Sequence, residues 1–206
     1  TSLGTVTLKP YSAGTTMSLG TAGAGSGTFD LSAAEIAAMQ SGATIFVIGD
    51  GAASTAVLTI DAALTFTGKT LTLNAGSITD GSNVRAITAT NLTLYARNGA
   101  IGALAGNGPI DVTVTNLSIN SATANTNAYI TSGAGYNLGV GATVSTVGSG
   151  TLYLGAGGSV TQTVTTGRVI AGKLLANITG SLTLTNVNTN IIAQLGDSAV
   201  STGITA

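Results

Sequence analysis

The chain contains no cysteine, histidine or tryptophan. Without cysteine there is no disulfide framework and no thiolate metal site. Without histidine there is no Ser-His-Asp triad and no imidazole ligand set. Charge is nearly as scarce: charged residues make up 6% of the 206 positions, against about 25% in an ordinary globular domain. Lys9, Lys69, Arg85, Arg97, Arg168 and Lys173 lie scattered, so no basic stripe offers a footprint for nucleic acid. Aromatics amount to 4%, too few for the girdles of a transmembrane barrel. No apolar run approaches the ~18 residues of a spanning helix. No basic segment followed by an apolar one opens the chain, so no signal peptide is read at Thr1. Patterned sequence reaches both ends, which reads as part of something longer.

What is present is threonine, small aliphatics and 30 glycines. Threonine and valine favour strands, while glycine and asparagine favour tight turns. With 44% apolar residues the chain has the means to build a core, unlike a disordered segment. The informative feature is a phrase repeated without being copied. Residues 71–78 read LTLNAGSI, 92–101 read LTLYARNGAI and 152–160 read LYLGAGGSV, with looser versions at 117–120 and 181–188. Each is a short alternating strand, a glycine or asparagine turn, and another aliphatic. Repetition on this scale predicts a solenoid.

Residues 3–8 read as a first strand and 20–28 as a glycine-rich loop. One helix is predicted near 32–40. Ser32 stands three residues before Glu35 as in a capping box, Leu31 and Ile36 suit a hydrophobic staple, and Gly42 suits the close. So short a helix must pack through Ile36 and Met39, as a cap on the strand stack or as a decoration of a long turn. Residues 43–48 form an apolar strand, and 56–60, 63–67 and 69–73 read as three more. Two regions follow: 1–54, strands with a helical insertion or linker, and 55–206, continuous repeats.

Alternation assigns an inward face to Leu71, Leu73, Ile78, Leu92, Leu94, Ile101, Leu117, Ile119, Leu152, Leu154, Val160, Leu182 and Leu184. Leu71 to Leu92 is 21 residues, Leu92 to Leu117 is 25, and Leu152 to Leu174 is 22. Leu117 to Leu152 is 35, with a candidate strand at 136–140 between them. A coil of three short strands and three turns needs roughly 18–25 residues. The fold class predicted is all-β, a parallel β-helix of eight or nine coils. A β-sandwich of the same strands stays open.

Chemistry is harder to find. The acids are Asp30, Glu35, Asp50, Asp61, Asp80, Asp111 and Asp197. Glycosidase-type chemistry needs a carboxylate pair, and stacking could bring Asp61 toward Asp80; turn and strand-end aspartates are the plainer reading. The turns at Asp50 and Asp80 are oxygen-rich but lack the spacing of a calcium loop. Asn91, Asn116 and Asn177 head N-x-[ST] sequons. Together with Asn186 they suit ordinary turns, or an internal ladder running along a stack. T-x-T pairs recur at 5–7, 65–67, 70–72, 113–115, 163–165 and 183–185, but at spacings that wander. Tyr95 and Tyr153 occupy equivalent places in the phrase and, with Tyr129 and Tyr136, are the only aromatic set for surface binding. No catalytic residue, cofactor or metal site is predicted.

GKTLTLNAGSITD (68–80), ITATNLTLYARNGAI (87–101), GTLYLGAGGSVTQ (150–162) and the run 167–196 resemble the repeat region of filamentous-haemagglutinin-like exoproteins. These are large secreted adhesins of Gram-negative bacteria. FDLSAAEIAAMQSGATIFVIGDG (29–51) resembles a linker among such repeats. The resemblance covers roughly 55–196. It implies a right-handed parallel β-helix, a non-enzymatic stalk, and a secreted or cell-surface location. The partners expected are flanking repeats of the same chain, copies joined end to end, or surface glycans. A self-assembling filament subunit and a carbohydrate-binding module are the alternatives.

Overall fold

The structure is a computed structural model describing residues 4–21, 28–50, 55–81, 86–121, 126–139, 143–162, 168–186, 190–196, 199–200 and 204–205. Its first half contains β1 (Thr5–Leu8), β2 (Met17–Gly20), β3 (Phe29–Ser32), helix α1 (Ala33–Met39), β4 (Ile45–Ile48), β5 (Val57–Ile60), β6 (Leu64–Ala75), β7 (Ser77–Asp80), β8 (Ala86–Ala96) and β9 (Ile110–Ser121). The second half contains β10 (Ala128–Ser132), β11 (Tyr136–Leu138), β12 (Thr143–Ala156), β13 (Val160–Gln162), β14 (Arg168–Ile178), β15 (Leu182–Thr183), β16 (Ile191–Leu195), β17 (Ala199–Val200) and β18 (Ile204–Thr205). Every strand pairing among the described residues is parallel. That excludes the sandwich, whose hairpin neighbours run antiparallel. The coils stack into a β-solenoid of about six turns. At about 4.8 Å per rung this is roughly 30 Å of stack. About six turns is fewer than the eight or nine coils that the spacing predicts.

Three stacking walls share one core. On the first, Val6, Phe46, Leu71, Leu92, Leu117 and Leu138 stand in register on successive strands. On the second, the column is Ile78, Ile101, Ala128, Leu152, Leu174 and Leu195. On the third, Leu64, Ile87, Val112 and Ser132 align, and beside them Ile110, Ile130, Leu154 and Ala176. Leu71, Leu73, Ile78, Leu92, Leu94, Ile101, Leu117, Ile119, Leu152, Leu154, Val160, Leu182 and Leu184 are all buried. They belong to a single apolar cluster running from Met17 to Leu184, so the two regions on either side of residue 54 share one core.

Two expectations need correction. The segments 63–67 and 69–73 are not separate strands but one long strand, β6, bent where the register shifts between Phe66 and Thr70. And LYL (152–154) does not stack on the wall of LTL (71–73). Leu152 lies over Ala128, and so in the column of Ile78 and Ile101. The first-wall neighbour of Leu117 is Leu138, 21 residues on. The 35-residue interval to Leu152 therefore spans a change of wall. The phrase recurs, but its third copy is displaced around the coil.

The bend moves too. In β6, β8 and β9 the long strand runs from the third wall into the first; in β12 and β14 it runs toward the second and third. The early exit from the first wall is a single residue, Gly76, between β6 and β7. One coil below, Gly49 (φ +92°) sits so close to the Asn74 carbonyl that a Cβ would run into its oxygen, so only glycine fits.

At the N-terminal end the chain doubles back. β3 pairs with β2, which pairs with β5, so β3 is the outermost strand of the second wall. It leads directly into α1. Ile36, Ala33 and Ala37 face Ala63, Leu64 and Thr65 across a small recess, which sets the helix beside the first strand segment of the third wall. The capping box is complete: the Glu35 N–H donates to Ser32 Oγ (3.2 Å) and the Ser32 N–H to Glu35 Oε2 (2.9 Å). The Ser32 backbone bond, and then its hydroxyl, holds the Glu35 carboxyl below its usual range. The helix ends on Gln40, not through Gly42; Gln40 is right-handed helical, and its Nε2 donates to the Thr65 carbonyl at 2.6 Å. Phe46 and Phe66 meet edge-on in the adjacent core, centroids 5.1 Å apart. The predicted loop at 20–28 lies largely outside the described residues, as do much of the turn at 49–54, Arg85, Asp197 and the T-x-T at 163–165.

Candidate functional site

Polar side chains in the stack are mostly spent on one another. Asp61 accepts a hydrogen bond from the Ser18 hydroxyl, which also lies 3.2 Å from Thr21 Oγ1. Asp80 is buried and registers with Ile60, one position before Asp61. Adjacent positions of an extended chain point to opposite faces. Stacking thus brings Asp61 and Asp80 to neighbouring coils without making a carboxylate pair. Asp111 accepts from the Thr131 hydroxyl, Asp50 pairs with Lys9 at 3.5 Å, and Glu35 serves the helix cap. Among the described residues no group of three or more His, Cys, Asp or Glu could hold a metal ion. No helix among them is long and apolar enough to cross a membrane.

The asparagines form an internal ladder where the chain enters the first wall. The Asn91 amide donates to Thr70 Oγ1 (3.0 Å), Asn116 to Asn91 Oδ1 (2.6 Å), and Asn137 to Asn116 Oδ1 (3.0 Å). Each member immediately precedes the leucine of the first-wall column. The ladder uses the amide nitrogens of the sequons at Asn91 and Asn116, whereas Asn177 is exposed. Asn137 was not singled out from the sequence. The signal that could have found it is the dipeptide Asn-Leu, shared with 91–92 and 116–117.

Asn186 belongs to a different device. Gln162 is buried at the register position of Leu138. It exchanges two amide bonds with Asn190: Gln162 Nε2 to Asn190 Oδ1 (2.7 Å) and Asn190 Nδ2 to Gln162 Oε1 (2.8 Å). Gln162 Oε1 also accepts from the Asn186 N–H, and Asn190 Oδ1 from the Val169 N–H. The pair thus satisfies backbone donors beside the ends of β13 and β15 and the start of β14. Sequence reasoning missed it, because its two halves are 28 residues apart.

The tyrosines divide. Tyr153 stacks over Tyr129, centroids 6.5 Å apart and tilted by 43°. Tyr95 sits between Asn74 and Asn120 on the first wall, so it is not the equivalent of Tyr153. Tyr136 points into the core, where burial, with the neighbouring Tyr153 adding to it, pushes its phenol far above the usual range. Beside Tyr153 lies an open recess of about 250 Å³ edged by Thr131, Gly155, Asn177 and Thr179. The T-x-T pairs align only locally: Thr65, Thr88 and Thr113 share a column on three coils of the third wall. That is shorter than a periodic ligand array requires. No family model, curated protein or solved structure matches the chain, so the arrangement of its residues is what any functional reading must rest on.

Proposed function

We propose that this chain is a non-catalytic structural segment, a stretch of stiff stalk in a large adhesin secreted by, or held at the surface of, a bacterium. One observation carries the reading: register columns continue through coil after coil, and the polar side chains of the stack are mostly spent in bonds between coils. Asp61, Asp111 and the amides of Asn91, Asn116, Asn137 and Gln162 all bond within the stack. A stack whose units touch only their neighbours is a device for length. The resemblance of 55–196 to exoprotein repeats supports the same reading.

A spacer tolerates loss of a unit. Deleting 93–117 removes one full register step: Leu92 pairs with Leu117 and Thr93 with Ser118, so Ser118 takes the place of Thr93 directly after Leu92. The deletion variant should keep its β-sheet circular dichroism and cooperative unfolding, and small-angle scattering should show a rod shorter by about 4.8 Å. A deletion that unfolds the remainder, or leaves the long dimension unchanged, removes the spacer reading.

A further inference from the structure

The chain contains two Asn-Gly dipeptides, Asn98-Gly99 and Asn107-Gly108. This is the sequence most prone to spontaneous deamidation, because glycine puts no side chain in the way of its own backbone nitrogen. We infer that the fold makes Asn107 a deamidation site and protects Asn98. The inference does not depend on the stalk reading.

The reaction needs water and no other co-reactant. The Gly108 nitrogen attacks Asn107 Cγ; the new N–Cγ bond forms, the Cγ–Nδ2 bond breaks, and ammonia leaves with the proton given up by the Gly108 amide. The cyclic imide then takes up one water at either carbonyl and opens to aspartate or isoaspartate. Nothing is oxidised or reduced.

Attack requires a backbone N–H that can leave its hydrogen bond and lose its proton. At Asn98 the stack holds that group: the Gly99 N–H donates to the Gly76 carbonyl at 2.8 Å, and the Asn98 N–H to the same oxygen at 2.9 Å. The comparable Asp80-Gly81 step is held likewise, Gly81 N–H to Ile60 O at 2.8 Å. Gly108 differs. Its carbonyl accepts from the Ala103 N–H at 2.9 Å, but among the described residues its own N–H has no acceptor. Asn107 is exposed, and its carboxamide has no hydrogen-bond partner among the described residues. Both asparagines are exposed and Gly108 is the more buried of the two glycines, so the difference lies in hydrogen bonding: at Asn107 nucleophile and electrophile are both without a partner among the described residues, in a turn outside the sheet ladder.

The product has a structural consequence. Asn107 edges a recess of about 300 Å³ together with Thr79, Asp80 and Gly102. Deamidation places a second carboxylate on that recess, beside the buried Asp80. Isoaspartate also adds a methylene to the main chain of the turn between the second and third walls, a place where Ala103 and Gly108 are bonded to each other.

The test is incubation of the folded chain at mildly alkaline pH, with a parallel sample in urea. Peptide mapping then follows the gain of about 1 Da at each asparagine, and electron-based fragmentation separates aspartate from isoaspartate. In urea the two sites should react at similar rates. In the folded chain Asn107 should outpace Asn98 by about tenfold or more, the factor expected from holding one N–H in a bond that must open. Asn107→Gln, which forms the cyclic imide far more slowly, should abolish the folded-state reaction at that site and leave the slower Asn98 reaction unchanged. Equal rates at the two sites in the folded chain, a faster Asn98, or no reaction at Asn107 under conditions where the urea sample reacts would each overturn the inference.

Discussion

Leu138 and Gln162 occupy the same column of the first wall on consecutive coils, yet one is a leucine and the other an amide. Up to Leu138 the column is apolar, and the hydrogen bonding is done one residue earlier, by the Thr70–Asn91–Asn116–Asn137 ladder. At Gln162 the amide itself sits in the buried column and turns toward Asn190. The difference follows from which backbone donors lie nearby. The early exit between β6 and β7 is one glycine, Gly76, whose N–H is bonded to Ala56 O at 2.7 Å. After Gln162, where β13 ends, β14 takes up the same wall again, Ile170 registering through Ser145 with Asn120, and the Val169 and Asn186 N–H groups find their acceptors in the Gln162–Asn190 pair. A buried amide is tolerable where it repays backbone donors and costly where it does not.

Exchanging the two residue types breaks the comparison most severely. Leu138→Gln buries an amide in a column with no Asn190 counterpart and removes an apolar contact, at a cost of about 4 kcal/mol. Gln162→Leu suits the column but strands the Asn190 amide and the Asn186 N–H, at a cost of about 2 kcal/mol. Urea unfolding of both variants measures the pair. Equal costs would mean that local context at Gln162 gives no relief, and the comparison would fail.

The ladder should be weaker than the clasp, because its members are only partly buried and water can replace a lost partner. Asn116 is its middle rung, accepting from Asn137 and donating to Asn91. Asn116→Ala is expected to cost about 1–2 kcal/mol by the same assay. Asn177→Ala, an exposed asparagine in the same kind of sequon, should change stability by less than ~0.5 kcal/mol. If the two cost the same, the ladder contributes nothing.

These contrasts explain what could be read before the structure. Inward positions such as Leu71 and Leu92 were legible because a strand alternates with period two whatever its neighbours are. The capping box at Ser32 and Glu35 was legible because both partners lie within four residues. Wall membership was not. LYL at 152–154 has the same local pattern as LTL at 71–73, and only the length of the intervening corners decides which column it joins. For the same reason Tyr95 and Tyr153 looked equivalent and are not. The Gln162–Asn190 pair needed a corner geometry that no local pattern encodes, whereas Asn91 and Asn116 hinted at a ladder through their shared place beside a leucine.

Tyr136 gives a modest effect of the opposite sign. Its ring registers with Val160 in the first wall, one coil before Gln162. Its hydroxyl is buried with no hydrogen-bond partner among the described residues. Here the polar atom repays nothing. Tyr136→Phe keeps the ring and should raise stability by about 1 kcal/mol near neutral pH. The pH dependence gives a second readout. An unfolded tyrosine ionises near pH 10, while burial holds the folded phenol higher. Above about pH 10 the unfolded state therefore loses a proton that the folded state retains, and stability falls as pH rises through that region. The phenylalanine variant has no such proton to lose, so its alkaline decline should be shallower than that of the parent. An unchanged alkaline slope would show that the Tyr136 hydroxyl reaches solvent, and it would then no longer stand as the unrepaid counterpart of the Gln162 amide.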